Sequence, residues 1–152
     1  MKKLQFQKEI KATSQKVYET MLGLKDKMTY EHWTSAFNPT SSYEGSWDKG
    51  SKIHFVGLDE NGKKGGMVSE IVEHQPAKFI SIRHYGFLDG DIEITKGELV
   101  EKWAGGHENY SYQEDHGITT VTVEMDAIEE YVDYFKNTYP TALDKLKEIA
   151  EQ

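Results

Sequence analysis

A chain of 152 residues with a formal net charge of −8 and a pI near 5.2 is long enough for one domain with its own core. No cluster of Lys and Arg is present to follow a phosphate backbone, which argues against nucleic acid and against docking on anionic membranes. The absence of cysteine excludes a disulfide framework and thiolate chemistry.

Residues 3–12 alternate, with Leu4, Phe6, Ile10 and Ala12 on one side and polar residues on the other, as a strand with one wet face does. The N-terminus therefore lacks the apolar core of a signal peptide. No later run approaches the length of a membrane span, so a cytoplasmic location without membrane insertion is expected. Thr13-Ser14 is a helix N-cap signal. Val17, Tyr18, Met21 and Leu22 make one face of a short helix, which Gly23 ends. Residues 25–37 carry Met28, Trp33 and Phe37 on a second short helix, stopped by Asn38-Pro39.

Strands follow over 41–47, 51–58, 65–74 and 78–87. Asp48-Lys49-Gly50 and Gln75-Pro76-Ala77 are turns between them. Asp59-Glu60-Asn61-Gly62 is a hairpin, because Asn-Gly supplies the positive φ of a tight turn. Residues 88–106 break the rhythm. Ile94, Leu99, Val100 and Trp103 stand at helical spacing between Gly90 and Gly105-Gly106. That spacing predicts a loop with a short helix, its apolar residues folded back over an end of the sheet. The last strands are 108–113 and 118–125, with Val121, Val123 and Met125 facing inward.

Residues 126–152 hold an apolar face of Ile128, Tyr131, Val132, Phe135, Tyr139, Leu143, Leu146, Ile149 and Ala150. This predicts a long amphipathic helix, with Asp126 as N-cap and Glu129 completing a capping box. Pro140 either kinks this helix or separates two, and the unbroken phase of the stripe favours the kink. Seven strands joined by short turns imply an antiparallel sheet. The fold class is α+β: a curved seven-stranded antiparallel sheet wrapped around a long C-terminal helix, with two short helices after strand 1. Residues 1–152 form one domain, without repeats, linkers or low-complexity segments.

Residues with catalytic or metal-ligating chemistry are sparse. His32, His54, His74, His84, His107 and His116 are scattered, and none has a partner at the spacing of a helical zinc pair. His84, mid-strand between Arg83 and Tyr85, could face a pocket and hydrogen-bond a ligand. Asp89, Asp91 and Glu93 begin like a calcium loop, but Ile94 and Val100 stand where Gly and Glu are required. No Ser occupies a nucleophile elbow, and no Gly-rich phosphate loop is present. No catalytic residue, metal ligand or cofactor is assigned. The aromatic residues, Trp33, Phe37, Phe55, Phe79, Tyr85, Trp103, Tyr110, Tyr112, Phe135 and Tyr139 foremost, are singly core candidates.

The order of elements resembles the helix-grip arrangement of the START-like, or SRPBCC, superfamily. Ala12-Thr13-Ser14-Gln15-Lys16-Val17-Tyr18 resembles the start of the family's first helix, and Trp47-Asp48-Lys49-Gly50-Ser51 its tryptophan-to-glycine hairpin. Residues 66–76, GMVSEIVEHQP, are similar to the glycine-strand-proline signature of the branch related to the activator of the heat-shock-protein-90 ATPase. Leu143-Asp144-Lys145-Leu146-Lys147 resembles that branch's helix. The resemblance implies a gap between sheet and helix that takes a small hydrophobic ligand. Its expected lining is Trp33, Phe37, Phe55, Met67, Phe79, His84, Tyr85, Trp103, Tyr110, Phe135 and Tyr139. The alternatives are a co-chaperone-like module with a protein partner, and an enzyme similar to the superfamily's cyclases and dehydratases. A monomer or weak dimer is expected.

Overall fold

Strand pairing organises the computed structural model, which describes residues 1–152. The strands are β1 (Lys2–Ile10), β2 (Ser42–Gly45), β3 (Lys52–Leu58), β4 (Lys64–Gln75), β5 (Phe79–Asp89), β6 (Ile92–Ile94), β7 (Gly106–Asp115) and β8 (Ile118–Ala127). All pairings are antiparallel, in the order β1-β8-β7-β5-β4-β3-β2, with β6 on β5. The helices are α1 (Ser14–Leu22), α2 (Lys27–Thr34), α3 (Glu98–Glu101) and α4 (Val132–Ala150). This is a helix-grip fold.

The local signals explain most element ends. The Thr13 hydroxyl accepts from Lys16 N at 3.1 Å, and Gly23 closes α1 at φ 68°. Gly62 turns the β3–β4 hairpin at φ 77°. α4 runs through Pro140 as one helix of 19 residues, about 28 Å long. It buries Tyr139, Ala142, Leu143, Leu146 and Ala150 in one core cluster with Ile53, Ile71, Ile80, Ile82, Tyr110, Val121 and Val123 of the sheet. Burying each such aliphatic side chain is worth about 1.5–3 kcal/mol.

Four expectations need correction. Asp126 does not cap α4, because β8 continues to Ala127 to pair with β1. Its carboxylate instead accepts from His107 N at 3.0 Å and meets Lys3 Nζ at 3.2 Å, while a short 3-10 turn at Glu129–Tyr131 leads into α4. The interrupted region 88–106 holds an eighth strand, β6, that turns back onto β5. In the same region Val100 is 1% exposed, but Leu99 is 68% exposed. A single helical turn can bury only one of two adjacent side chains, which point about 100° apart. Met28 and Trp33 lie on α2 as expected, with Met28 exposed because five residues on a helix put it about 140° from the buried Trp33. Phe37 lies beyond the end of α2.

Candidate functional site

Strand register gathers a polar chain on the inner face. Phe55 on β3 opposes Met67 on β4, and Ile53 opposes Ser69. A bulge between Val68 and Ser69 leaves Tyr85 unpaired and sets Ser69 opposite His84 on β5. On β7, Glu108 shares a face with Tyr110 and Tyr112 by alternation. The outcome is a run of contacts across three strands and a helix. Ser69 Oγ lies 2.6 Å from His84 Nδ1, and His84 Nε2 lies 3.0 Å from Glu108 Oε1. The Tyr139 hydroxyl of α4 donates to Glu108 Oε2.

Donor and acceptor roles follow from chemistry. A carboxylate only accepts, so His84 Nε2 carries a hydrogen toward Glu108. With the imidazole neutral, Nδ1 accepts from the Ser69 hydroxyl. Burial first, then the charge of Glu108, holds the hydroxyls of Tyr30, Tyr110 and Tyr139 well above their ordinary value of 10.0. These phenols are therefore neutral donors at physiological pH. Ser69, His84 and Glu108 have the residue types of a hydrolytic triad. Ser69 is 0% exposed, however, and its oxygen cannot meet a substrate carbonyl.

Rings enclose this chain. Tyr139 stacks on Phe6 at 4.9 Å and meets Phe37 edge-on at 5.0 Å, with Trp33 at 6.4 Å and Phe135 at 6.5 Å. Trp33 meets Tyr110 at 6.2 Å, and Phe55 meets His84 edge-on at 6.0 Å. Burial divides the set. Trp33, Tyr110 and Tyr139 fill the interior between sheet and helix. Phe37, Phe55, Met67, His84, Glu108 and Phe135 point inward yet remain half-buried. The side chains of His84 and Glu108 keep 16% and 17% of their exposure. These groups are the part of the inner face that water still reaches.

The remaining expected lining residues divide. Trp103 packs on Phe87 at 6.4 Å, and Phe87 opposes Met67 and so shares its face. Phe79 lies on the outer face, one residue from the inward Ile80. Tyr85 is outside too, under Arg83 at 5.1 Å. Two surface grooves, of about 590 Å³ beside Pro76, Lys78 and Gln113 and about 320 Å³ beside Gln7, Glu9 and Lys147, touch none of the expected lining. Glu108 and Ser69 escaped the reading of the sequence. Their signal was phase: Glu108 alternates with two buried tyrosines, and Ser69 with Met67 and Ile71.

No family model matches the chain, and no curated protein matches it significantly. Solved structures do. The Aha1 dimer from Colwellia psychrerythraea is 20% identical over 99% of this chain and 97% of its own, with a TM-score of 0.68. Protein NE0264 from Nitrosomonas europaea is 15% identical over 99% of this chain and 94% of its own, at a TM-score of 0.72. CalU16 from Micromonospora echinospora is 12% identical over 99% of this chain and 76% of its own, at 0.64. At these identities the likeness is one of fold. The chain has a helix-grip fold, and an Aha1 protein is among the structures that share it. No helix is long and apolar enough to cross a membrane.

Proposed function

We propose that the chain binds a small, largely apolar molecule at the mouth between the inner face of the sheet and the N-terminal half of α4. The observation that carries this reading is the set of inward-facing but half-buried side chains, Phe37, Phe55, Met67 and Phe135, around the His84–Glu108 pair. Ligand sites combine apolar walls with a few placed polar groups, and this set has both. Native mass spectrometry of freshly purified protein tests it. A mass increment that is released on denaturation and identified in the organic extract supports the reading. Bare protein, together with no saturable binding of small aromatic compounds, opposes it.

A protein-interaction module is the second reading. It is favoured by the closure of the inner space, since Trp33, Tyr110 and Tyr139 are almost fully buried and pack against one another. Capture of a chaperone by this chain, unaffected by small aromatic compounds, would favour that reading over the first. Catalysis would need His84 or Glu108 as acid or base, with substrate in the same mouth.

A further inference from the structure

An apolar mouth has no need of a carboxylate, yet this one ends on Glu108. Several other carboxylates of the sheet have a lysine or arginine partner. Glu44 meets Lys64, Glu70 meets Arg83, Glu93 meets Lys52, and Asp126 meets Lys3. Glu108 meets no lysine or arginine, only His84 and the Tyr139 hydroxyl. The fully buried Ser69 hydroxyl is occupied by His84 Nδ1, 2.6 Å away, and supplies nothing to Glu108. A partly buried charge is costly without an opposite charge or several donors. A carboxylate offers about four acceptor positions, and one on each oxygen is occupied, so Glu108 can accept further donors. The rings of Phe55, against His84, and of Phe37 and Phe135, against Tyr139, suit the same partner, since aromatic rings attract a cation.

We infer that the ligand of this mouth carries a positively charged, N–H-donating head, an ammonium on an aromatic or alkyl body, set against Glu108 among Phe37, Phe55 and Phe135. This rests on the proposed binding function and adds the class of ligand to it.

Calorimetric titration of the full chain with naphthylmethylamine, naphthylmethanol and naphthoate separates the two. The three probes share a ring system and differ in head charge. The amine is expected to bind more tightly than the alcohol by on the order of tenfold, as charge-assisted hydrogen bonds imply, with naphthoate weakest. Glu108→Gln should erase the amine-over-alcohol ratio. Equal affinities for amine and alcohol in the unmodified chain would overturn the cationic head and leave the apolar mouth standing. An amine preference that survives in Glu108→Gln would overturn the role of Glu108. Binding by none of the three would overturn the mouth itself, and the inference with it. The comparison of head groups in the unmodified chain decides the charge of the head even where the variant folds poorly.

Discussion

Glu108 Oε1 lies 3.0 Å from His84 Nε2 because the two residues occupy diagonal positions on the inner face of neighbouring strands. Glu108 opposes Ile82, and His84 stands two residues further along β5. The contact ties β5 to β7, and Tyr139 ties both to α4. These groups form one network, so their contributions should couple. A double-mutant cycle of Tyr139→Phe and Glu108→Gln in urea is expected to give an interaction of about 1 kcal/mol. Additive losses would show that the hydroxyl and the carboxylate act independently.

Phe135 and Leu143 lie on the same stripe of α4 but differ in burial. Leu143 is 1% exposed, and Leu143→Ala should cost about 2–5 kcal/mol through transfer and cavity terms. Phe135 is half-buried beside Phe37, so Phe135→Ala should cost less than the roughly 3–5 kcal/mol of a fully buried ring. The same change should weaken binding of naphthylmethanol. A loss as large as that of Leu143→Ala, with binding intact, would put Phe135 in the core rather than in the mouth.

Gly62 and Gly66 both adopt positive φ, for different reasons. Gly62, at φ 77°, has open space where a Cβ would stand. Gly62→Ala should therefore carry only backbone strain, about 1–2 kcal/mol. Gly66, at φ 137°, would place a Cβ 1.8 Å from the Phe55 carbonyl oxygen. Gly66→Ala must push β3 from β4 at the rim of the mouth, and should be the more damaging by thermal denaturation. Equal melting points for the two variants would contradict the close approach of the strands.

Acid should loosen the seam between β1, β7 and β8 through Asp126. Burial opposes ionisation of this carboxyl, but the His107 N–H and the Lys3 ammonium outweigh burial and hold it below its ordinary value of 3.8. A carboxyl depressed in the folded state lends stability that is complete above its unfolded value. That stability is lost as pH falls through the folded value. Urea midpoints measured from about pH 5 downward should therefore fall less steeply in Asp126→Asn than in the unmodified chain. Parallel curves would assign the acid sensitivity to other groups.

Local chemistry made much of the fold legible. The Thr13 cap, the Gly23 stop and the Asn61-Gly62 turn each act within a few residues of chain and have their expected place, as has the apolar phase of α4 from Val132 onward, whereas Ile128 and Tyr131 of the expected stripe precede the helix and Tyr131 is exposed. The Asp126 capping signal lost to a long-range competitor, since nine residues of β1 pair along β8 and draw that strand on to Ala127. The polar centre of the mouth was harder to read for the same reason. His84 was visible as a mid-strand histidine, but its partners lie 15 and 24 residues away in sequence, at Ser69 and Glu108. Only the bulge beside Ser69 and the register of β5 with β7 bring them together. Alternation could have put Glu108 on the inner face with Tyr110. It could not have shown that Lys and Arg would be missing beside it.

Amide shift mapping of the nitrogen-labelled chain, titrated with neutral naphthylmethanol, tests the binding mouth most directly, because the probe carries no charge and the readout locates it. The largest saturable shifts are expected at Phe37, Phe55, Met67, His84, Glu108 and Phe135, with Val121 and Ala150 in the closed part of the core unmoved. Shifts centred instead on the outer groove beside Pro76 and Gln113, or no saturable shifts anywhere, would contradict a ligand site between the sheet and α4.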